Sequence, residues 1–240
     1  MRAAERAELE ALRDFFGASG MPYRTAREAS AFRAAGPPTR EMTRIVGLYD
    51  VADLDELEPF FDGGTYWVSL DPEARLDERL TERGFEPDYP WQKFERGVEA
   101  YAARTDLCIG AADERFGTVF VAAYGLPPRD EPVLASVVGR EGWHTFAAYD
   151  GDEPVGVGAL FVAGDTGWLG MGGTLPAARG RGAQNAILAA RIDRARELGL
   201  ERVVTETGMP RDGEPGPSYR NIVRAGFEPA YVRPNYRAPA

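Results

Sequence analysis

The sequence predicts an α/β (α+β) protein of two related lobes, each a mixed, mostly antiparallel sheet flanked by helices. Three observations carry this. Gly84-Phe85-Glu86-Pro87-Asp88-Tyr89 recurs as Gly226-Phe227-Glu228-Pro229-Ala230-Tyr231, each copy closing an amphipathic stretch and opening an aromatic one. Two β-rich runs, Trp143–Tyr149 and Val155–Val162, are joined by Asp150-Gly151-Asp152-Glu153-Pro154, a hairpin signal. An arginine-glycine loop, Arg179-Gly180-Arg181-Gly182-Ala183-Gln184, stands between a strand pattern and a helix pattern.

In the second half the elements follow in the order β-α-α-β-β-β-α-β-α-β. Thr105–Ala111 is a short strand, and Asp113–Tyr124 a helix with Asp113 as its cap. After Leu126-Pro127-Pro128 a second helix, Pro132–Arg140, starts on proline. The hairpin comes next, then a strand over Gly167–Leu175 and the arginine-glycine loop. Leu188, Ile192, Ala195 and Leu198 share one face of the following helix, which Gly199 stops. Glu201–Thr207 reads as a strand, Ser218–Ala225 as a helix and Glu228–Arg237 as a final strand pair.

The first half repeats the last part of this order with Thr43–Tyr49, Val51–Phe61, Thr65–Leu70 and Glu73–Arg83 as strand, helix, strand and helix. The linker is placed near Glu95–Arg104, giving lobes over 1–98 and 104–240. The extreme N-terminus alternates acid and base at helical spacing and lacks the apolar core of a signal peptide.

Composition narrows the function. A net charge of −10 without a basic run argues against nucleic-acid binding and, if it selects any partner, favours a cationic one. No stretch is apolar for long enough to span a membrane, so a cytoplasmic location is expected. Cys108 is the only cysteine and reads as a small buried hydrophobe; His144 is the only histidine and reads as structural. Neither a disulfide nor a thiolate or histidine-rich metal site can be assembled from them.

The arginine-glycine loop is suited to a pyrophosphate. A helix start presents free N–H groups at the positive end of the helix dipole, and Gly180 and Gly182 let the backbone approach a ligand. Arg179 and Arg181 offer charge-assisted donors, and no acidic residue occurs between Asp165 and Asp193. A P-loop would end in Gly-Lys-Ser/Thr, where this chain has Gly182-Ala183-Gln184; a dinucleotide fingerprint would open an early βαβ unit, which is not the order here. The corresponding stretch of the first half, Leu48–Glu56, has no arginine and carries Asp50, Asp53, Asp55 and Glu56 at a helix start, where they would repel phosphate.

The stretch Leu175–Gln184 resembles the coenzyme A signature of the GNAT acetyltransferases, Arg/Gln-x-x-Gly-x-Gly/Ala, with Arg179 and Gly182 matching and Gln184 departing at the last position. Ser218-Tyr219-Arg220-Asn221 followed by Arg224-Ala225-Gly226-Phe227 is similar to the family's helix ending in Gly-Phe. The resemblance covers about residues 105–240, and the whole chain looks like the tandem GNAT proteins of bacteria, in which a reduced first lobe precedes a complete one. It implies an acetyl-CoA dependent N-acetyltransferase acting on a primary amine of a small molecule or peptide, with one lobe holding the cofactor; a non-catalytic acyl-CoA binding or regulatory module is the alternative. The sequence leaves room for a homodimer.

Under this resemblance the cofactor would lie along Gly172, Gly173, Thr174 and Leu175 and over Arg179, Gly180, Arg181, Gly182, Ala183 and Gln184. The glycines of Gly170–Thr174 mark either a bulge that approaches the pantetheine arm or close packing on Trp168. The family's usual tyrosine acid, four residues before the Gly of Gly-Phe, is replaced by Ile222; Tyr219 and Tyr231 are the nearby phenols, each either a substitute or a packing residue. Glu206 is the candidate base, unless it only faces solvent on an alternating strand, and Asn221 is placed to orient substrate or water.

Overall fold

The computed structural model describes residues 1–210 and 213–239. The chain forms two compact units, one of residues 1–93, 207–209 and 230–240, the other of residues 94–206 and 210–229. The units are therefore interleaved along the sequence, with residues 230–240 grouping with the first half.

The first unit begins with helix α1 (Ala3–Ser19), which buries Leu9, Leu12, Phe15 and Phe16 together with Glu5 and Glu8. A hairpin follows, β1 (Tyr23–Ala26) and β2 (Ala29–Phe32), then β3 (Arg44–Val46), α2 (Val51–Leu57), β4 (Trp67–Ser69), α3 (Asp77–Glu82) and β5 (Glu86–Gly97). The predicted helix Val51–Phe61 ends as a 3-10 turn over Glu58–Phe61, and Glu73–Arg83 splits into a 3-10 turn at Pro72–Ala74 and α3. Leu54, Leu57, Phe61, Tyr66, Val68, Leu80 and Phe85 form its core, with the Phe61 and Tyr66 rings stacked at 4.0 Å.

The second unit contains β6 (Cys108–Ala111), α4 (Phe116–Tyr124), α5 (Glu131–Ala135), β7 (Trp143–Asp150), β8 (Glu153–Ala163), β9 (Thr166–Thr174), α6 (Ala183–Glu197), β10 (Arg202–Gly208) and α7 (Pro217–Arg224). The last strand, β11 (Glu228–Arg237), completes the predicted order. In this unit the strand order is β10-β9-β8-β7-β6. Only β9 and β10 run parallel; β6 through β9 are antiparallel neighbours. Leu160, Leu169, Leu188, Ile192, Val203, Ile222 and Phe227 close the core between this sheet and helices α6 and α7.

Both copies of the repeat perform the same local task. Gly84 and Gly226 take left-handed conformations at φ 84° and 81°. The next N–H reaches back to a helical carbonyl, Phe85 to Leu80 at 3.0 Å and Phe227 to Ile222 at 3.3 Å, the six-to-one bond of a Schellman stop. Phe85 and Phe227 are each 2% exposed, so each copy ends a helix and drives an aromatic ring into its own core.

Several expectations are corrected. The final segment is one strand, not a pair, and its end pairs antiparallel with β4, Asn235 with Ser69 and Arg237 with Trp67. Asp113 does not cap α4 at its first residue: its carboxylate accepts from the Arg115 N–H at 2.9 Å, forming a turn ahead of a helix that starts at Phe116. Leu198 lies past the end of α6 and is 38% exposed, because the helix closes through Gly199 and it is Leu200 that turns inward. The helix at Pro132 ends at Ala135. Cys108 is exposed, since β6 is an edge strand with one neighbour.

The first unit hides a dense ion cluster. The fully buried Glu8 carboxylate accepts from Arg44 at 2.6 Å, from Lys93 at 2.5 Å and from Arg233. Glu5 accepts from the Tyr231 hydroxyl at 2.6 Å. Charges this deep are tolerable only when mutually paired, and removing one partner strands the others. Glu8→Gln is expected to destabilise the first unit by about 3–5 kcal/mol. Urea unfolding followed by tryptophan fluorescence measures this, and an unchanged midpoint would show that the cluster does not hold the unit together.

Candidate functional site

The features that make an anion cradle gather at the start of α6. Leu175 enters a 3-10 turn over Pro176–Ala178, Arg179 is extended, and Gly180 and Gly182 are left-handed at φ 85° and 82°. Gly182 is the residue before the helix and supplies no side-chain cap, so the first-turn N–H groups of α6 have no acceptor from a capping side chain. A β-carbon on Gly182 would come within 2.2 Å of the Arg104 carbonyl oxygen, so no other residue fits there without moving the backbone. Thr105 Oγ1 donates to the Arg181 carbonyl at 2.8 Å and fixes that side of the loop. Around Gly180 the space is open.

The two loop arginines differ in what they do. Arg179 spans two main-chain carbonyls, Ala123 at 3.1 Å and Thr174 at 3.4 Å, and so links the end of α4 to the end of β9. Arg181 turns to Asp106 and Asp150, with contacts of 2.5 and 2.6 Å, and these carboxylates, Asp150 foremost, raise its pKa above the ordinary arginine value. The Arg181 guanidinium is thus committed to two carboxylates of the protein itself.

The equivalent helix start in the first unit is closed. Asp50 precedes α2 and accepts the Ala52 N–H at 2.9 Å, a bond that lowers its pKa. Arg27 binds Asp50 and Asp53 at 3.0 and 2.5 Å. A carboxylate already fills the position an incoming phosphate would need.

Next to the open helix start, β9 is interrupted. Ala159 pairs with Gly170 and Val157 with Gly173, so Gly158 alone stands opposite Met171 and Gly172. This is a bulge, and Met171 adopts φ 52° to make it. The sequence offered a bulge or packing on Trp168 as alternatives, and both occur: a β-carbon on Gly170 would lie 1.9 Å from the indole. Gln184 reaches from the first turn of α6 to the Gly173 carbonyl at 2.7 Å and the Thr174 hydroxyl at 2.8 Å, fastening helix to strand. Tyr124, which sequence reasoning passed over, donates to the Gly172 carbonyl at 2.5 Å.

β9 and β10 pair in parallel from Thr166 and Arg202 as far as Trp168 and Val204, after which the contact between them is the Thr205 hydroxyl donating to Leu169 at 2.8 Å. Glu206 is the next residue, half-buried on β10 beyond the end of the ladder. Tyr219 packs edge-on against Phe94 at 5.0 Å, among the core of the second unit. Ile222 is buried and carries no acid. Asn221 lies within 3.1 Å of the Asn185 amide and 3.2 Å of Arg224, joining α7 to the first turn of α6. Tyr231 is committed to Glu5 in the first unit. His144 accepts from Arg194 at 3.4 Å, and burial together with that cation lowers its pKa.

One further residue was missed. Arg191 of α6 is 3% exposed and donates to the carbonyls of Ala159 and Gly170, both at 3.1 Å. Its position was legible, since residues 184, 188, 191 and 195 share a helix face and an arginine among them must enter the core.

Residues 112–213 match the family model described as the acetyltransferase (GNAT) family. No curated protein is a significant match to the chain. Among solved structures the chain is similar to a GCN5-related N-acetyltransferase from Kribbella flavida, at 17% identity and a TM-score of 0.66, covering all of this chain and 97% of that one. It is also similar to a tandem GNAT protein from the clavulanic acid biosynthesis pathway, at 15% identity, TM-score 0.57 and coverages of 88% and 83%. A GCN5-related N-acetyltransferase from Sphaerobacter thermophilus matches at 18% identity and TM-score 0.59 over 72% of this chain, which spans 59% of that protein's length. At such identities the likeness concerns the fold; the assignment rests on the family model, which encloses the bulged strand, the arginine-glycine loop and α6. What these comparisons show is that residues 112–213, a little under half of the chain, match the GNAT acetyltransferase family.

Proposed function

We propose that the protein is an N-acetyltransferase that moves the acetyl group of acetyl-CoA to a primary amine of a small molecule or peptide. The observation that carries this reading is the adjacency of an uncapped, glycine-opened helix start and a bulged strand, joined by Gln184. The α6 start fits a pyrophosphate: its N–H groups lack a cap, Gly180 borders open space, and no carboxylate stands where Asp50 stands in the first unit. Only the second unit offers such a cradle among the described residues.

Acetyl-CoA supplies an activated thioester carbonyl. The first turn of α6 and the backbone of residues 180–182 would hold its phosphates, and residues 172–175 of β9 and the turn after it would contact its pantetheine arm. Met171 and Gly172 lie outside the ladder, and their N–H groups would serve the acyl oxygen, where preorganised donors stabilise growing negative charge. Glu206 would take a proton from the substrate ammonium, directly or through water, so that the neutral amine attacks the thioester carbonyl; the C–N bond forms, the C–S bond breaks, and CoA leaves as a thiolate that water protonates. Asn221 holds the α6–α7 contact and thereby one wall of the site. Tyr219 steadies α7 through Phe94, and its hydroxyl is the phenol of that helix.

A second reading, a non-catalytic acyl-CoA binding or regulatory module, draws on Ile222, which puts a buried alkyl group where an acid would stand. Turnover with a panel of amines separates the two, since CoA binding without transfer to any amine would favour the module.

Acetyl-CoA at about 100 times its dissociation constant should stabilise the protein by about 2.7 kcal/mol. Differential scanning fluorimetry reads this as a rise in Tm, and its absence would sink both readings. Gly182→Ala forces a β-carbon toward the Arg104 carbonyl at a left-handed φ, so CoA affinity measured by calorimetry should fall at least tenfold, a cost of about 1.4 kcal/mol or more. Glu206→Gln should lower kcat by about 10²–10⁴ while leaving CoA affinity near that of the parent, as expected for loss of a general base. A kcat within twofold of the parent would remove Glu206 from the chemistry.

A further inference from the structure

Arg191 is a cation in the interior of the second unit, and among the described residues no carboxylate pairs with it. Burial lowers its pKa to about 10, which leaves it charged at neutral pH. A charge kept in the core without a counter-ion must be satisfied by dipoles. Here the dipoles are main-chain carbonyls: Nη1 donates to Ala159 and to Gly170 at 3.1 Å each, and Nε to Ile187 at 3.3 Å. Ala159 and Gly170 are the ladder pair at which β8 and β9 enter the bulge.

The space for this guanidinium is built in. A β-carbon on Gly158 would lie 3.0 Å from Arg191 Cζ and 2.7 Å from Ile187 Cγ2. Gly158 is also the residue opposite the bulge. The same glycine therefore faces Met171 and Gly172 across the ladder and makes room for the arginine beneath them.

The Gly170 carbonyl and the Met171 N–H belong to one peptide group. A charge-assisted bond to the carbonyl draws electron density through the amide and makes its N–H a stronger donor. The same bond fixes the plane of the peptide and hence the direction in which that N–H points. We propose that Arg191 is the positioning residue of the acyl-oxygen site, clamping the Ala159/Gly170 pair and polarising the Gly170–Met171 peptide so that the Met171 N–H is aimed and strengthened. The inference rests on the acyltransfer reading above, which it deepens.

Three variants test it: Arg191→Met, which removes the charge at similar length, Arg191→Lys, which retains a cation, and Gly158→Ala, which displaces the guanidinium without removing it. In the unliganded protein, amide hydrogen exchange in the β8–β9 ladder flanking the bulge, at residues 157, 159, 170 and 173, should quicken at least about tenfold in Arg191→Met and Gly158→Ala, while the later turns of α6 keep their protection. CoA affinity should stay within about threefold of the parent, whereas kcat for amine acetylation should fall about 10–100-fold at little-changed KM for acetyl-CoA, with Arg191→Lys between. Should Arg191→Met fail to fold, the other two variants decide by the same readings. Parental exchange in the ladder flanking the bulge and parental kcat in folded variants would overturn the assignment of Arg191. A parent protein that binds no CoA and transfers no acetyl group would instead overturn the acyltransfer reading, and the exchange measurement would still decide whether Arg191 clamps the bulge.

Discussion

Every α-helix begins with N–H groups that its own carbonyls cannot reach, and how those groups are satisfied organises this protein. The first unit answers with a side chain: Asp50 caps α2, and Arg27 neutralises Asp50 and its neighbour Asp53. The second unit leaves the start of α6 to its backbone, with Gly182 in the cap position and carbonyls or aspartates absorbing the nearby arginine side chains. One helix start is closed by a capping carboxylate and the other has no side-chain cap. Much of the surrounding structure serves that difference, from the Thr105 bond that fixes the loop to the Gln184 bonds that tie the helix to β9.

Positive charge follows the same division. Arg181 is compensated by Asp106 and Asp150, and Arg179 by carbonyls, so the loop's guanidinium groups brace the cradle from within the protein. Arg191 is compensated by the carbonyls at the bulge, which places its charge on the peptide group that carries the Met171 N–H. In the first unit Arg44, Lys93 and Arg233 are gathered around Glu8 and turned inward. A chain with net charge −10 thus commits a share of its 28 lysines and arginines to interior contacts, Arg191 to main-chain carbonyls and Arg44, Lys93 and Arg233 to a buried carboxylate.

The order of elements in the second half was legible because each signal is local. The Gly-Phe stop, the Asp150–Pro154 turn and the arginine-glycine loop act through residues a few positions apart, and the structure places an element at each. What was hidden depends on partners distant in sequence. The β1–β2 hairpin turns on Arg27 at φ 49° with no glycine or asparagine to announce it. Glu228–Arg237 reads as aromatic strand, yet nothing in its periodicity reveals that Asn235 and Tyr236 pair with Ser69 and Val68. Cys108 resembles a core residue until β6 is known to be an edge. Glu5 and Glu8 sit at ordinary helical spacing, and only their burial shows them to be the centre of an ion cluster.

The bulge shows why local legibility extends to a site's outline and stops short of its working parts. Gly170–Thr174 announces close approach, but glycine only permits a conformation and does not select one. Selection comes from side chains: Trp168 of the same strand fills the space over Gly170, and from other elements Tyr124 takes the Gly172 carbonyl, Gln184 the Gly173 carbonyl, and Arg191 the Gly170 carbonyl. Each carbonyl from Gly170 to Gly173 apart from that of Met171 is thereby claimed from outside the strand by a named side chain. The peptide planes of β9 are held from their carbonyl ends, which leaves the N–H of Met171 as a direction set by the rest of the unit.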